Sequence, residues 1–245
     1  MIKRIFILLF LLLIIAYLIV AVTVFNTKPA DQTCKGMELI INDSIDHGFI
    51  TQKEVLRLLN SKKLSPIGKK MGDINTRLLE DELSKHPLIE NVECYRTPGR
   101  KIGIEVTQRL PLLRVMAANG DNYYIDSKGK VMPIPNSSAH VAVVTGSVDR
   151  DFATKELYKL GIFLQNHPLW EAQIEQINVT PAKELELVPR VGEHIIFLGK
   201  PGDYEEKFER LKIFYKKGLN QVGWNKYSRI SLEFSNQIIC TKKEK

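Results

Sequence analysis

Residues 89–107 read IENVECYRTPGRKIGIEVT, and this stretch decides the fold of the first half of the chain. Ile89 to Tyr95 forms one arm of a hairpin and Thr97-Pro98-Gly99 forms its turn. The return arm alternates: Ile102, Ile104 and Val106 point one way, and Lys101, Gly103, Glu105 and Thr107 point the other. A period of two marks a strand with one buried face. Working toward the N-terminus, Asn75 can cap a helix in which Leu79 and Leu83 share a face. His86-Pro87 closes that helix, because Pro87 disfavours helical angles at His86. Gly68 to Asp73 reads as a loop. Thr51-Gln52-Lys53-Glu54 is a capping box for an earlier helix carrying Val55, Leu56, Leu58 and Leu59. Met37 to Ile41 is a strand that ends at Asn42-Asp43. The order β-α-α-β-β predicts a three-stranded sheet with one face covered by two helices.

Further out, Lys3 and Arg4 precede an apolar run from Ile5 to Phe25, in which Thr23 is the only polar residue. At ~1.5 Å per residue such a helix crosses a ~30 Å hydrocarbon layer and satisfies its own backbone hydrogen bonds there. A cleaved signal peptide has a shorter apolar core and a small-x-small site, whereas Lys28 stands where a small residue would be needed. A helix packed on a core with one side in water would show a polar face, and no face of this run carries polar residues beyond Thr23. The positive-inside rule places Lys3 and Arg4 in the cytoplasm and the remaining body outside. Asn26 to Gln32 reads as a stalk.

A second body opens with strands at Leu112–Met116 and Asn122–Ile125. A turn at Asp126-Ser127-Lys128-Gly129 and strands at Val131–Ile134 and Val141–Thr145 follow. A helix from Thr154 to Asn166 carries Leu157, Leu160 and Leu164 on one stripe. It ends at His167-Pro168, which repeats the helix-to-strand exit expected at His86-Pro87. Strands at Ile174–Thr180, Leu185–Val188 and His194–Leu198 come next, then an amphipathic helix with Tyr204, Phe208, Leu211 and Tyr215, which Gly218 or Gly223 ends. The chain finishes in a hairpin, Tyr227–Phe234 and Gln237–Thr241 with a turn at Ser235-Asn236, and a basic tail.

The 245 residues carry a formal charge of +7, or +5 without Lys3 and Arg4. This mild, diffuse charge suits an anionic lipid surface or an acidic partner. No stretch interleaves Arg with aromatics as a nucleic-acid platform does. Cys34, Cys94 and Cys240 have no metal-site spacing; one disulfide or three small buried residues are both open. No nucleophile elbow, zinc helix or phosphate loop is present. His194 reads as a core or rim histidine and Asp126 as a turn-former. The expectation is no catalytic residue, no cofactor and no metal. What remains is a surface: the last strand, with apolar Ile238-Ile239-Cys240 and with Lys242 and Lys243 at its end, lies where an open sheet edge is common.

Leu79, Leu83, Pro87, Ile89, Val92, Arg96, Pro98, Ile102, Ile104 and Val106, with the join at Arg109-Leu110-Pro111, resemble the second half of a POTRA domain. Tyr124 to Val131 is similar to an Ile-Asp-x-x-Gly-x-Val hairpin, and Ile230 to Gln237 to a terminal hairpin, of the bacterial cell-division family FtsQ/DivIB. Ser231 and Glu233 depart from the Ile-Asp-Leu-Arg common in that family.

The resemblance implies an α+β chain. It consists of a cytoplasmic tail (1–4), a single transmembrane helix (5–25), a stalk (26–33), a POTRA-type domain (34–109) and a mainly antiparallel β domain with flanking helices (110–245). It implies a non-enzymatic divisome scaffold in the cytoplasmic membrane at the septum. Such a scaffold binds FtsB-like and FtsL-like proteins and acts indirectly on septal peptidoglycan synthesis by FtsW and FtsI. The site residues it implies are Gln237, Ile238, Ile239, Cys240, Thr241 and Lys242, with Tyr227 and Arg229 on the neighbouring strand and the helix from Tyr204 to Leu219 nearby. Two alternatives stand beside it. A POTRA-containing chaperone or transport component would bind many extended chains, and a membrane-anchored envelope enzyme would gather His or carboxylates from distant positions.

Overall fold

A computed structural model describes residues 2–25, 29–42, 49–135 and 137–243. The chain divides into two compact units, residues 1–108 and 109–245. α1 is helical over Ile2–Phe25. Its side chains are described over residues 9–21, and those from Leu9 to Val20 are exposed all round. Among the described residues no helix is long and apolar enough to cross a membrane, since the described side chains of α1 cover less than the ~20 residues a span needs.

The first unit is built as the alternation and caps require. Its elements are β1 (Gly36–Asn42), α2 (Gln52–Ser61), α3 (Thr76–Leu83), β2 (Ile89–Arg96) and β3 (Lys101–Gln108). The sheet order is β1-β3-β2, with β1 parallel and β2 antiparallel to β3. The Thr51–Glu54 capping box is formed in both directions, and the Asn75 side chain accepts from the amide of Leu78. Each such cap satisfies helix-end amides that otherwise lack partners, for about 1 kcal/mol. Val55, Leu59, Leu79 and Leu83 from the helices are buried, as are Ile102, Ile104 and Val106 from β3. Each large aliphatic side chain fully removed from water contributes about 1.5–3 kcal/mol. Gly103 interrupts β3 because its cross-strand partner is Tyr95, whose ring would lie 2.5 Å from a Cβ at that position.

One expectation changes here. Residues 30–33 belong to the unit more than to a stalk: the amides of Gly72 and Met71 donate to the carbonyls of Ala30 and Gln32, and Thr33 bridges Lys70. Backbone pairing of this kind leaves no side-chain periodicity to read. Asn26 to Lys28 and Asp43 lie outside the described residues.

The second unit is a nine-stranded sheet in the order β12-β11-β10-β9-β8-β7-β4-β5-β6. Its strands are β4 (Pro111–Ala117), β5 (Asn122–Asp126), β6 (Val131–Met132), β7 (Ala142–Gly146), β8 (Ile174–Val179), β9 (Leu185–Pro189), β10 (Ile195–Gly199), β11 (Tyr227–Ser231) and β12 (Ile239–Lys242). Antiparallel pairs predominate among the described residues, but β4/β7, β7/β8 and β10/β11 are parallel, so the sheet is mixed. Parallel neighbours need a long crossover. For β7/β8 the crossover is α4 (Arg150–Phe152), a π-helical turn (Ala153–Leu157), α5 (Tyr158–Gln165) and α6 (Pro168–Gln173). For β10/β11 it is α7 (Tyr204–Phe214), a second π turn (Tyr215–Leu219) and α8 (Asn220–Val222). These helices pack Leu157, Leu160, Leu164, Trp170, Phe208, Leu211 and Leu219 into one core with Leu113, Val144, Ile177, Leu187, Ile196 and Ile230.

The expected strand after His167-Pro168 is instead α6, with His167 at its N-cap and Pro168 in its first turn. Proline is pre-set for that position and needs no amide partner there. The strand expected over Val131–Ile134 closes after Met132.

Candidate partner-binding edge

The terminal hairpin is shorter than the sequence implies. β11 stops at Ser231 and β12 begins at Ile239, so Leu232 to Ile238 form the connection, and Gln237 and Ile238 precede the strand. β12 pairs antiparallel with β11 (Ser231↔Ile239, Ile230↔Cys240, Arg229↔Thr241, Tyr227↔Lys242) and with no other strand among the described residues. Alternate residues of such a strand turn their N–H and C=O groups away from the partner strand. β12 therefore offers a row of backbone donors and acceptors along its outer side.

The opposite edge, β6, differs. It has two residues, and the Arg109 guanidinium donates to the carbonyls of Lys130 (3.3 Å) and Val131 (3.0 Å). A short edge with its carbonyls occupied is blunted.

Side chains on β12 divide by face. Cys240 and the preceding Ile238 pack against the core, while Ile239 is 46% exposed. Thr241 and Lys242 are exposed. An irregularity between Tyr227 and Arg229 sends these two neighbours to opposite faces. Tyr227 lies against the core, 6.2 Å ring to ring from Phe214. Arg229 lies 4.2 Å over the Phe197 ring and 2.7 Å from the Glu186 carboxylate. Glu186 in turn accepts from Asn178 (3.0 Å), and Gln176 donates to Thr145 (2.9 Å), so a polar ladder crosses the helix-free face. Arg229 is thus held within the chain, one strand in from the edge.

Two contacts that the sequence does not announce hold the hairpin. Arg210 on α7 donates to the carbonyls of Phe234, Leu232 (3.3 Å) and Gln237 (3.3 Å), tying down the connection. Lys243, at the strand end, pairs with Glu193, and its amide donates to the Lys226 carbonyl (3.1 Å). Both contacts join positions far apart in the chain, so spacing carries no signal of them. Beside the edge, Arg210, Ile213, Phe214, Lys217, Gly218 and the loop Asn236 to Ile238 line an open groove of ≈ 430 Å³. Ile213 is 52% exposed on its wall.

The residues weighed as chemical groups are engaged otherwise. Asp126 is buried, accepts from the amides of Lys128 (3.0 Å) and Lys130 (2.7 Å) and pairs with Arg109. His194 is buried with Nε2 2.7 Å from the Tyr215 hydroxyl, and burial lowers its pKa. Cys34 and Cys94 are buried and Cys240 half-buried, all as free thiols. Among the described residues no group of three or more His, Cys, Asp or Glu is placed to hold a metal ion.

The fold and its open edge define a class: a β-α-α-β-β unit of POTRA type followed by a helix-backed sheet that ends in a strand paired on one side. A POTRA-like family model matches residues 32–107 and the family model "FtsQ/DivIB, C-terminal related" matches residues 110–241. The chain belongs to the FtsQ/DivIB family. It is 25% identical over 187 residues to the cell division protein FtsQ of Geotalea daltonii, covering 71% of this chain and 66% of that protein. It is 25% identical to that of Rhodothermus marinus (70% and 67%) and 27% identical to that of Myxococcus fulvus (64% and 57%). The chain thus spans about two thirds, or less, of the length of these relatives.

Proposed function

We propose that this chain is a non-enzymatic scaffold of the bacterial division machinery. It is anchored in the cytoplasmic membrane by one pass, with the N-terminus inside and both folded units outside, at the septum. It captures an FtsB-like protein, itself paired with an FtsL-like one, along β12, and through them helps control septal peptidoglycan synthesis by FtsW and FtsI. The single observation that carries this reading is the position of β12 at the sheet edge, paired on one side only among the described residues. A partner strand added there gains main-chain hydrogen bonds for register and affinity. Ile239 and Thr241, on the face away from the core, and the groove beside α7 would supply the choice of side chain. The anchor reading is supported by a 24-residue helix, α1, whose sequence after Lys3 and Arg4 is apolar except for Thr23, and whose described side chains show no polar face.

The test is affinity for the FtsB-like partner in the full chain and in two variants, Ile239→Pro and truncation before Gln237. Proline removes a donor and resists pairing in register. Binding should weaken at least about 100-fold, near 3 kcal/mol, while circular dichroism of the body is unchanged. Unaltered affinity in both variants would end the proposal.

A further inference from the structure

The first unit is electrically lopsided. At the end where β1 begins, Cys34 and Lys35 link two loops: the amide of Cys34 donates to the Lys69 carbonyl and that of Lys35 to the Arg100 carbonyl, both at 2.8 Å. These loops, 65–72 and 97–100, bring together Lys35, Lys69, Lys70 and Arg100, none of which makes an ion pair among the described residues. Arg96 adds a fifth charge, its guanidinium held by the carbonyls of Met71 (3.0 Å) and Ile74 (2.8 Å). Asp31 and Asp73 lie close to them in the chain, and Lys101 at the start of β3 is already paired with Glu38 (2.8 Å). Elsewhere in the unit Lys62 (3.9 Å) and Lys85 are paired with Glu82. Two apolar residues project from the basic end: Ile67, 54% exposed, and Pro98. Between the loops lies a groove of ≈ 670 Å³ whose lining includes Ala30, Met71, Arg96, Pro98 and Arg100.

The chain itself decides what this end faces. Five Cα-to-Cα steps lead from Phe25 to Ala30, a reach of at most about 18 Å. The headgroup layer takes up about 5–7 Å of that. Ala30 is hydrogen-bonded to Gly72 (2.8 Å) beside the basic loop. With α1 spanning the membrane, the cluster cannot move far from the lipid surface, and charge within about a Debye length of that surface, ~8 Å, is felt.

We infer that the basic end of the first unit is an anionic-phospholipid contact. Ile67 and Pro98 enter the headgroup layer, Lys35, Lys69, Lys70 and Arg100 meet lipid phosphates, and the groove takes one headgroup. This rests on the anchor reading of α1, and it would fix the height and tilt of the first unit over the membrane.

The test places the full chain in nanodiscs of phosphatidylcholine alone or mixed with phosphatidylglycerol. An environment-sensitive fluorophore is attached at Ile67→Cys in a Cys240→Ser background, and a quencher is carried on the lipid headgroups. Quenching should rise at least about twofold with phosphatidylglycerol and fall back in molar salt, which screens within about 3 Å. The triple variant Lys69→Glu, Lys70→Glu, Arg100→Glu should remove the increase; the salt arm makes the same test without any charge substitution. Equal quenching in both lipids, or an increase that survives salt, overturns the inference. Incorporation into the discs without quenching overturns it while leaving the anchor intact, whereas failure to incorporate overturns both.

Discussion

The Arg109 guanidinium and the Asp126 carboxylate meet at 2.7 Å, with side chains only 13% and 4% exposed. Asp126 organises the β5–β6 turn through the amides of Lys128 and Lys130, while Arg109 donates to the carbonyl of Lys130 beside β6 and of Val131 within it. One ion pair therefore closes the turn and blunts one of the two sheet edges, leaving β12 as the long open edge.

Removing one member of a buried pair strands the other charge, at a cost of about 3–5 kcal/mol. Asp126→Ala should lower the unfolding free energy of the body by about that much in a urea titration. A loss under roughly 1 kcal/mol, the range of an exposed pair, would refute this role.

Arg210 is expected to govern how well β12 is ordered, since its three carbonyl acceptors all lie in the β11–β12 connection. Hydrogen bonds from a charged donor are worth about 1.5–3 kcal/mol each when buried, and less here because the loop is exposed. In Arg210→Ala, amide exchange over Ile239–Lys242 should quicken about tenfold or more, near 1.4 kcal/mol of local opening. Exchange in β7 and β8 should stay as before. Unchanged protection of β12 would show that the connection holds itself.

Burial, with the Glu80 carboxylate adding to it, pushes the Cys94 thiol up to about 12. The folded state thus disfavours the thiolate. The resulting stabilisation is present below the ordinary thiol range, about 8.5, and is lost as pH rises from there toward 12. Cys240 is also raised by burial, but it is half-exposed on the edge hairpin. Site-resolved alkylation of native protein at pH 8 should modify Cys240 first and leave Cys94 untouched until unfolding. Early modification of Cys94 would contradict its environment.

Much of the first unit was legible because its signals are local. The Thr51–Glu54 box, the Asn75 cap and the Ile102-Ile104-Val106 alternation each act within a few residues, and the structure forms each where expected. The second unit was legible strand by strand but not in its pairing. Nothing in the residues of β10 states that β11 will lie parallel to it; the helical crossover between them decides that. The His167-Pro168 exit misled because proline before a strand and proline in the first turn of a helix look alike in sequence. The terminal hairpin is shorter than the alternation of polar Gln237 and apolar Ile238 suggests, because the Gln237 carbonyl is taken up by Arg210 in the connection.

The amino-acid order alone determined the capped helices and the alternating strand of the first unit, which faces are apolar, and that no familiar catalytic motif is present. Those properties come from caps, periodicity and residue chemistry, which operate over one or two turns. Only the tertiary structure decided which strand is left at the rim, that Arg229 is spent on Glu186 and Lys243 on Glu193, and that the basic loops of the first unit gather at one end. Such facts depend on which distant segments become neighbours, and burial of the whole core selects that arrangement.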